Sequence, residues 1–180
     1  MIKLKAQQFM QVLPSVLKNG GAIYHIAEFP LVHVGVNVDI NEQYCKDNNI
    51  PVFRVERTGG TIVSNPGDFD FVIVEKEKTY TRPQILTKLL TLLVSKNQSV
   101  VFENNDLLVD GYKVASYSYR NVPGGIYTAI HISMSVNMDL IKNICNKEMI
   151  KVPKGLNDFG ITAVDIKRII DEVGHYETSL

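Results

Sequence analysis

The order of elements along the chain predicts an α+β fold on a central mixed, mainly antiparallel sheet flanked by helices. Three observations carry this. Strand-like runs outnumber helical ones, several are joined by short turns rather than by helices, and no linker, repeat or low-complexity tract breaks the alternation. With 180 residues, the chain is long enough for one domain with a substantial core, and residues 1–180 are read as that single domain.

Taken in order, residues 6–18 carry an apolar helical stripe at Phe9, Met10, Leu13, Val16 and Leu17. Pro14 lies inside it as a kink or restart, and Gly20-Gly21 ends it. Strands are expected over about 22–28 and 31–38. Asn41 is placed as the N-cap of a short helix reaching about Asn48. Pro51–Glu56 is a strand, followed by a glycine-containing segment and a strand over about 69–75. Thr81-Arg82-Pro83-Gln84 has the pattern of a capping box. It opens a helix with Ile85, Leu86, Leu89, Leu90 and Leu93 on one face. Val100–Glu103 is a strand, and Ile126–Val136 a long one, with Ile130, Ile132 and Met134 facing one way and His131, Ser133 and Ser135 the other. A short helix follows over Asp139–Cys145. Thr162 caps a last helix that runs through Val173 and is stopped by Gly174.

Composition narrows the function classes. Hydrophobic content is 45% and charged content 21%, and 19 basic residues balance 19 acidic ones. A broad nucleic-acid surface would carry a basic excess, so no nucleic-acid partner is expected. No apolar run is long enough for a membrane span, and the N-terminus lacks the apolar core of a signal peptide. Cys45 and Cys145 make neither a disulfide framework nor a metal-type spacing. Both fall in predicted helices among apolar neighbours, as buried free thiols in a reducing, cytoplasmic setting.

The residues with most chemical content lie between Asn104 and Ser116. Asp110-Gly111 between two strand-like runs is a strong hairpin signal. A regular register sets Val109 opposite Tyr112, Leu108 opposite Lys113, Leu107 opposite Val114 and Asp106 opposite Ala115. Asp106, Leu108, Lys113 and Ala115 then share a face, with Asp106 and Lys113 as diagonal neighbours roughly 7–8 Å apart at the backbone. Taken alone, such a pair is a surface ion pair worth about 0–1 kcal/mol. A second segment, Arg57-Thr58-Gly59-Gly60-Thr61, can bring backbone amides and a guanidinium to an anion, although it has the spacing of neither a P-loop nor a dinucleotide fingerprint. His131 sits mid-strand beside Ser133. His25, His33 and His175 are scattered, without ligand-like spacing.

Together and in order, these segments resemble the lipoate–protein ligase and octanoyltransferase family, related in fold to biotin–protein ligases. Phe29-Pro30-Leu31-Val32-His33-Val34-Gly35 is similar to the family's Pro-x-Val-x-x-Gly strand. Arg57-Thr58-Gly59-Gly60-Thr61 is similar to its Arg-Ser-Gly-Gly-Gly loop. Asn105-Asp106 followed by Lys113-Val114-Ala115 resembles its Asn-Asp hairpin with the essential lysine. His131 through Asp139-Leu140 resembles its His-Gly strand, and Val152-Pro153-Lys154-Gly155 with Gly160-Ile161-Thr162 resembles the segment that closes the domain.

The resemblance implies a class II synthetase-like catalytic domain without an accessory C-terminal domain. It also implies a lipoate–protein ligase-type acyltransferase, which activates lipoate, octanoate or a similar acid with ATP and magnesium as an acyl-adenylate. The acyl group then passes to a lysine of a lipoyl carrier domain, and some members of the family need a separate accessory chain. Lys113 is the implied catalytic residue. Arg57, Gly59, Gly60, Thr61, Asn65, Asn105, Asp106, Ala115, Ser116 and His131 are the implied substrate and adenylate contacts, Asp106 with a magnesium contact as well. The departures are Thr61 for the loop's third glycine, Ser64-Asn65 for a Tyr-His pair and Ile132 for the glycine after His131. Lys154 stands where octanoyltransferases carry their cysteine nucleophile. Two alternatives stay open: a non-catalytic member that binds an acyl ligand or carrier protein, and an octanoyl-carrier transferase lacking the usual cysteine.

Overall fold

Two sheets face each other across a row of polar side chains, and the strand register explains why. In the computed structural model, residues 1–55, 60–76, 83–146 and 149–177 are described. The elements are β1 (Ile2–Lys3), α1 (Ala6–Asn19), β2 (Gly21–Ile26), β3 (Leu31–Gly35), α2 (Glu42–Asp47), β4 (Val52–Val55), β5 (Ile62–Ser64), β6 (Phe69–Glu75) and α3 (Gln84–Ser95). They continue with β7 (Val100–Glu103), β8 (Asp106–Val109), β9 (Tyr112–Val122), β10 (Gly125–Ile132), α4 (Met138–Ile144) and α5 (Ala163–Glu177). Seven strands form a large sheet in the order β1-β2-β6-β10-β9-β8-β7, and three form a small sheet in the order β4-β3-β5. The short β1 joins β2 in parallel and the rest of the large sheet is antiparallel; β4 joins β3 in parallel.

Successive side chains of a strand alternate between faces, so each register row of the large sheet belongs to one face. Ile26, Phe69, Ile132, Ala115 and Leu107 form one such row. Its buried members pack with Ile85, Leu86, Leu89 and Leu93 of α3 and Ile166, Ile169 and Ile170 of α5. On the other face Phe9, Leu13 and Val16 of α1 cover Ile23, Val72 and Val74. The next row on that face is His25, Asp70, His131, Ser116 and Asp106. The small sheet has its own core with α2 and α4, which includes Val32, Val34, Cys45 and Ile144.

Several expectations change in detail. The strand after the glycine-containing segment is preceded by a further one, β5, and β3, β4 and β5 leave the central sheet to form their own. β10 ends at Ile132 rather than Val136, because the amides of Met134 and Ser135 turn to Asp68 Oδ1 (2.7 and 3.3 Å). The α4 helix starts at Met138, with Asn137 accepting from the Leu140 amide. The α5 helix runs through Gly174 to Glu177, since a glycine inside a helix costs only about 1 kcal/mol. Pro83 is the N-cap residue of α3 and makes no side-chain cap bond; Thr81 and Arg82 lie outside the described residues.

Gly125 shows how tightly the sheet is drawn at its far end. Its φ is +134°, and a Cβ there would lie 1.9 Å from the Glu75 carbonyl oxygen. Gly125→Ala is therefore expected to destabilise the fold by about 3 kcal/mol or more, through overpacking and backbone strain together. Urea denaturation measures it; a loss below about 1 kcal/mol would contradict this packing.

Candidate active site

Two tight turns place the central lysine. Asn104 and Asn105 both have left-handed backbone (φ 49° and 66°), as do Asp110 and Gly111 (φ 50° and 83°). This conformation matches the twist of a two-residue hairpin. β7, β8 and β9 are thus folded back on one another. The register differs from the regular one: Leu108 faces Lys113, but Leu107 faces Ala115 and Asp106 faces Ser116, with Val114 as the extra residue. This β-bulge lets Val114 and Ala115 both enter the core while Lys113 stays on the polar face. Pro153 replaces a ladder partner beside the lysine: Lys113 N donates to the Val152 carbonyl and Lys154 N to the Lys113 carbonyl, both at 3.0 Å.

Lys113 Nζ lies 2.9 Å from Asp106 Oδ1, and Lys151 Nζ lies 3.1 Å from Asp106 Oδ2. Partial burial works against the charge of Lys151. Its bonds to Asp106 and Glu103 outweigh this and hold it above the usual lysine range.

Two cavities meet at Lys113. The larger, about 600 Å³, has polar side chains at Thr61, Asn104, Asn105, Asp106, Ser116 and Ser118, beside Ile62, Tyr117, Tyr119 and Ala129. The smaller, about 140 Å³, shares Thr61, Lys113 and Ser116 and then runs past Ala115, Asn65 and His131 towards Val63, Val136, Ile141 and Met149. Every described residue expected at the site thus lines one cavity or both; Arg57 and Gly59 lie outside the described residues.

Beneath the smaller cavity is a buried cluster that sequence spacing did not indicate. Asp70 Oδ1 binds His131 Nδ1 at 2.9 Å, and Asp70 Oδ2 accepts from Ser64 Oγ at 2.8 Å. His25 and His33 approach the same oxygen at 3.4 and 3.9 Å, so these histidines converge rather than scatter. His131 Nε2 in turn contacts Ser133 Oγ at 3.0 Å. Burial alone would raise the Asp70 pKa, but His131, His33 and His25 hold it well below the usual carboxylate range. Burial works against charge on His131 too, yet Asp70 and Asp68 hold its pKa above the ordinary value. For His25 burial wins over Asp70, and its pKa is lowered. At Asp68 burial pushes the carboxyl up, against the pull of His131 and the amides of Asn65 and Met134. The signal in the sequence was Asp70 itself, one charge inside the apolar run of β6, where a carboxylate needs buried partners.

A pH dependence follows, with a sign for Asp70, His25 and His131. The depressed Asp70 contributes stability above about pH 4 and loses it as pH falls. The lowered His25 costs stability as pH falls below about 6.5, where the unfolded chain takes up the proton. The raised His131 contributes fully below about 6.5, and this is lost as pH rises through its folded value. Metal-free protein should thus be most stable near about pH 6.5, with stability falling from there as pH rises towards the folded pKa of His131 and falling on the acid side through His25. His131→Gln should flatten the alkaline fall in urea midpoints; an unchanged alkaline limb would refute the assignment.

The architecture is that of a class II synthetase-like lipoate ligase domain, a mixed sheet flanked by helices. The Lipoyl protein ligase A/B catalytic domain model matches residues 17–176, and the chain belongs to that family. A sequence search of curated proteins gives no significant match. Among solved structures, P. falciparum LipL1 in complex with lipoate is similar with a TM-score of 0.77 at 15% identity, over 99% of this chain and 62% of that one. The chain thus spans less than two thirds of that protein. A bipartite lipoate protein ligase from Thermoplasma acidophilum, described with its E2 lipoyl domain, is similar with a TM-score of 0.71 at 11% identity, over 96% and 79% of the two chains. Lipoate-protein ligase A bound with ATP gives 0.68 at 13% identity, over 94% and 80%. At these identities the likeness establishes the fold. Among the described residues, no helix is long and apolar enough to cross a membrane.

Proposed function

We propose that this chain activates lipoate, octanoate or a similar carboxylic acid as an acyl-adenylate and transfers the acyl group to a lysine of a lipoyl carrier domain. The observation that carries this reading is Lys113, whose side chain lines both cavities where they join. The larger, polar cavity suits ATP and the smaller, partly apolar one suits the acid's chain. In the first step the acid's carboxylate attacks the α-phosphate and pyrophosphate leaves. In the second the carrier's amine attacks the acyl carbon and AMP leaves. Negative charge builds near the shared carboxyl and phosphate oxygens in both steps, and an ammonium fixed there stabilises it. Thr61 lines both cavities and Gly60 the larger one, while Asn105 and Ser116 offer polar contacts to the nucleotide side.

Magnesium would accompany ATP, but Asp106 already carries an ammonium on each oxygen, partners that a hard cation must displace. Its role in this reading is to aim Lys113 and Lys151. Lys154 in place of a nucleophilic cysteine favours the adenylate over a covalent acyl-cysteine route. A separate accessory chain is a variable of the assay. Acid-dependent release of pyrophosphate from magnesium-ATP tests the first half-reaction, with lipoate, octanoate and biotin as alternatives. Absence of release with every acid, with and without an accessory chain, would exclude the adenylate. Transfer from octanoyl-carrier protein without ATP would point to the transferase instead.

A further inference from the structure

The buried cluster under the small sheet has the make-up of a metal site. His25 Nε2 and His33 Nε2 lie 3.4 and 3.9 Å from Asp70 Oδ2, and the three ligand atoms all fall within 4.8 Å of one another. An ion bound at about 2.0–2.1 Å in a tetrahedral site sets its ligand atoms about 3.4 Å apart, so small side-chain movements would close the shell. His25 is fully buried, and neither of its ring nitrogens makes a hydrogen bond of good geometry, with the Ile26 backbone and Asp70 the polar groups near the ring. Buried polar groups are normally paired, and an imidazole aimed at a carboxylate and a second imidazole without being hydrogen-bonded suits a ligand.

The surroundings fit as well. His131 holds the other Asp70 oxygen and Ser64 donates to Oδ2, the kind of outer partners that orient a ligating carboxylate. A small cavity of about 30 Å³ beside His33 and Asp70, capped by Phe9, Met10 and Leu13, has room for a single water as a fourth ligand.

We propose that His25, His33 and Asp70 bind one first-row divalent metal ion, of which zinc is the representative. The ligands come from β2 and β6 of the large sheet and β3 of the small one, so the ion would staple the two sheets together beside the acyl cavity. The proposal is independent of the adenylate reading and is tested without any substrate.

The experiment uses the full chain freed of metal by a chelator. Zinc titrated by calorimetry should bind one equivalent. At a hundredfold excess over Kd it should raise Tm by roughly 5–10 °C. Cobalt(II) should give visible d–d bands without a thiolate charge-transfer band, which separates the site from Cys45 and Cys145. His25→Gln and His33→Gln should each lower affinity at least tenfold. If either fails to fold, His33→Cys serves instead and should add a thiolate–cobalt band. Failure of the wild-type chain to bind an equivalent, or binding that survives both histidine substitutions, would overturn the proposal. So would a His33→Cys protein that binds cobalt without a thiolate band.

Discussion

Lys113→Ala is expected to lower the rate of acyl transfer about 10²–10³-fold, the usual cost of removing one fixed charge that meets a developing oxyanion. The fold should survive, because Lys151 remains on Asp106 and the Lys113 backbone is held by Val152 and Lys154. Lys113→Arg should recover little, since a planar fork does not replace a compact ammonium. Single-turnover rates with saturating acid and ATP, alongside the urea midpoint, separate chemistry from folding. A decrease of less than about tenfold with unchanged stability would remove Lys113 from the mechanism, since general electrostatic contacts cost more.

Asp68→Ala should produce the largest loss of stability among the polar substitutions, about 3–5 kcal/mol. Asp68 is fully buried and accepts from the amides of Asn65, Met134 and Ser135. Alanine leaves these donors without their acceptor and releases the turn that ends β10 beside His131 and Ser133. Gly155 packs against the same turn, where an added Cβ would lie 2.5 Å from the Met134 carbonyl oxygen. The change in urea midpoint at constant m-value reads the effect. A loss below about 1 kcal/mol would show that these donors find other partners.

Local patterns were legible in the sequence. The alternation in β10, the stripe of α3 and the Asp110-Gly111 turn each depend on neighbours a few residues apart, and each corresponds to an observed element. Lys113 and Asp106 were also legible as a pair, because a hairpin brings them together over a short loop. The bulge at Val114 was not, since a regular register satisfies the same turn residues. The choice is made by the core, which takes both Val114 and Ala115.

The polar row was the least legible feature. His25, Asp70, His131, Ser116 and Asp106 come from five strands and become neighbours only when the register is set. His33 joins them from a different sheet. Spacing along the chain carries no trace of such a row, because it runs across the strands. A charge inside an otherwise apolar strand was the one clue, and it indicated that partners exist without indicating which.

In the proposed reaction Lys113 promotes acyl-adenylate formation and transfer to a carrier lysine. Its most direct test is the intact mass of a lipoyl carrier domain after incubation with the chain, lipoate and magnesium-ATP, with octanoate in a parallel reaction. One added acyl group on the carrier is expected, dependent on ATP and lost with Lys113→Ala. An unmodified carrier in the wild-type reaction, with and without an accessory chain, or acyl transfer undiminished by Lys113→Ala, would contradict it.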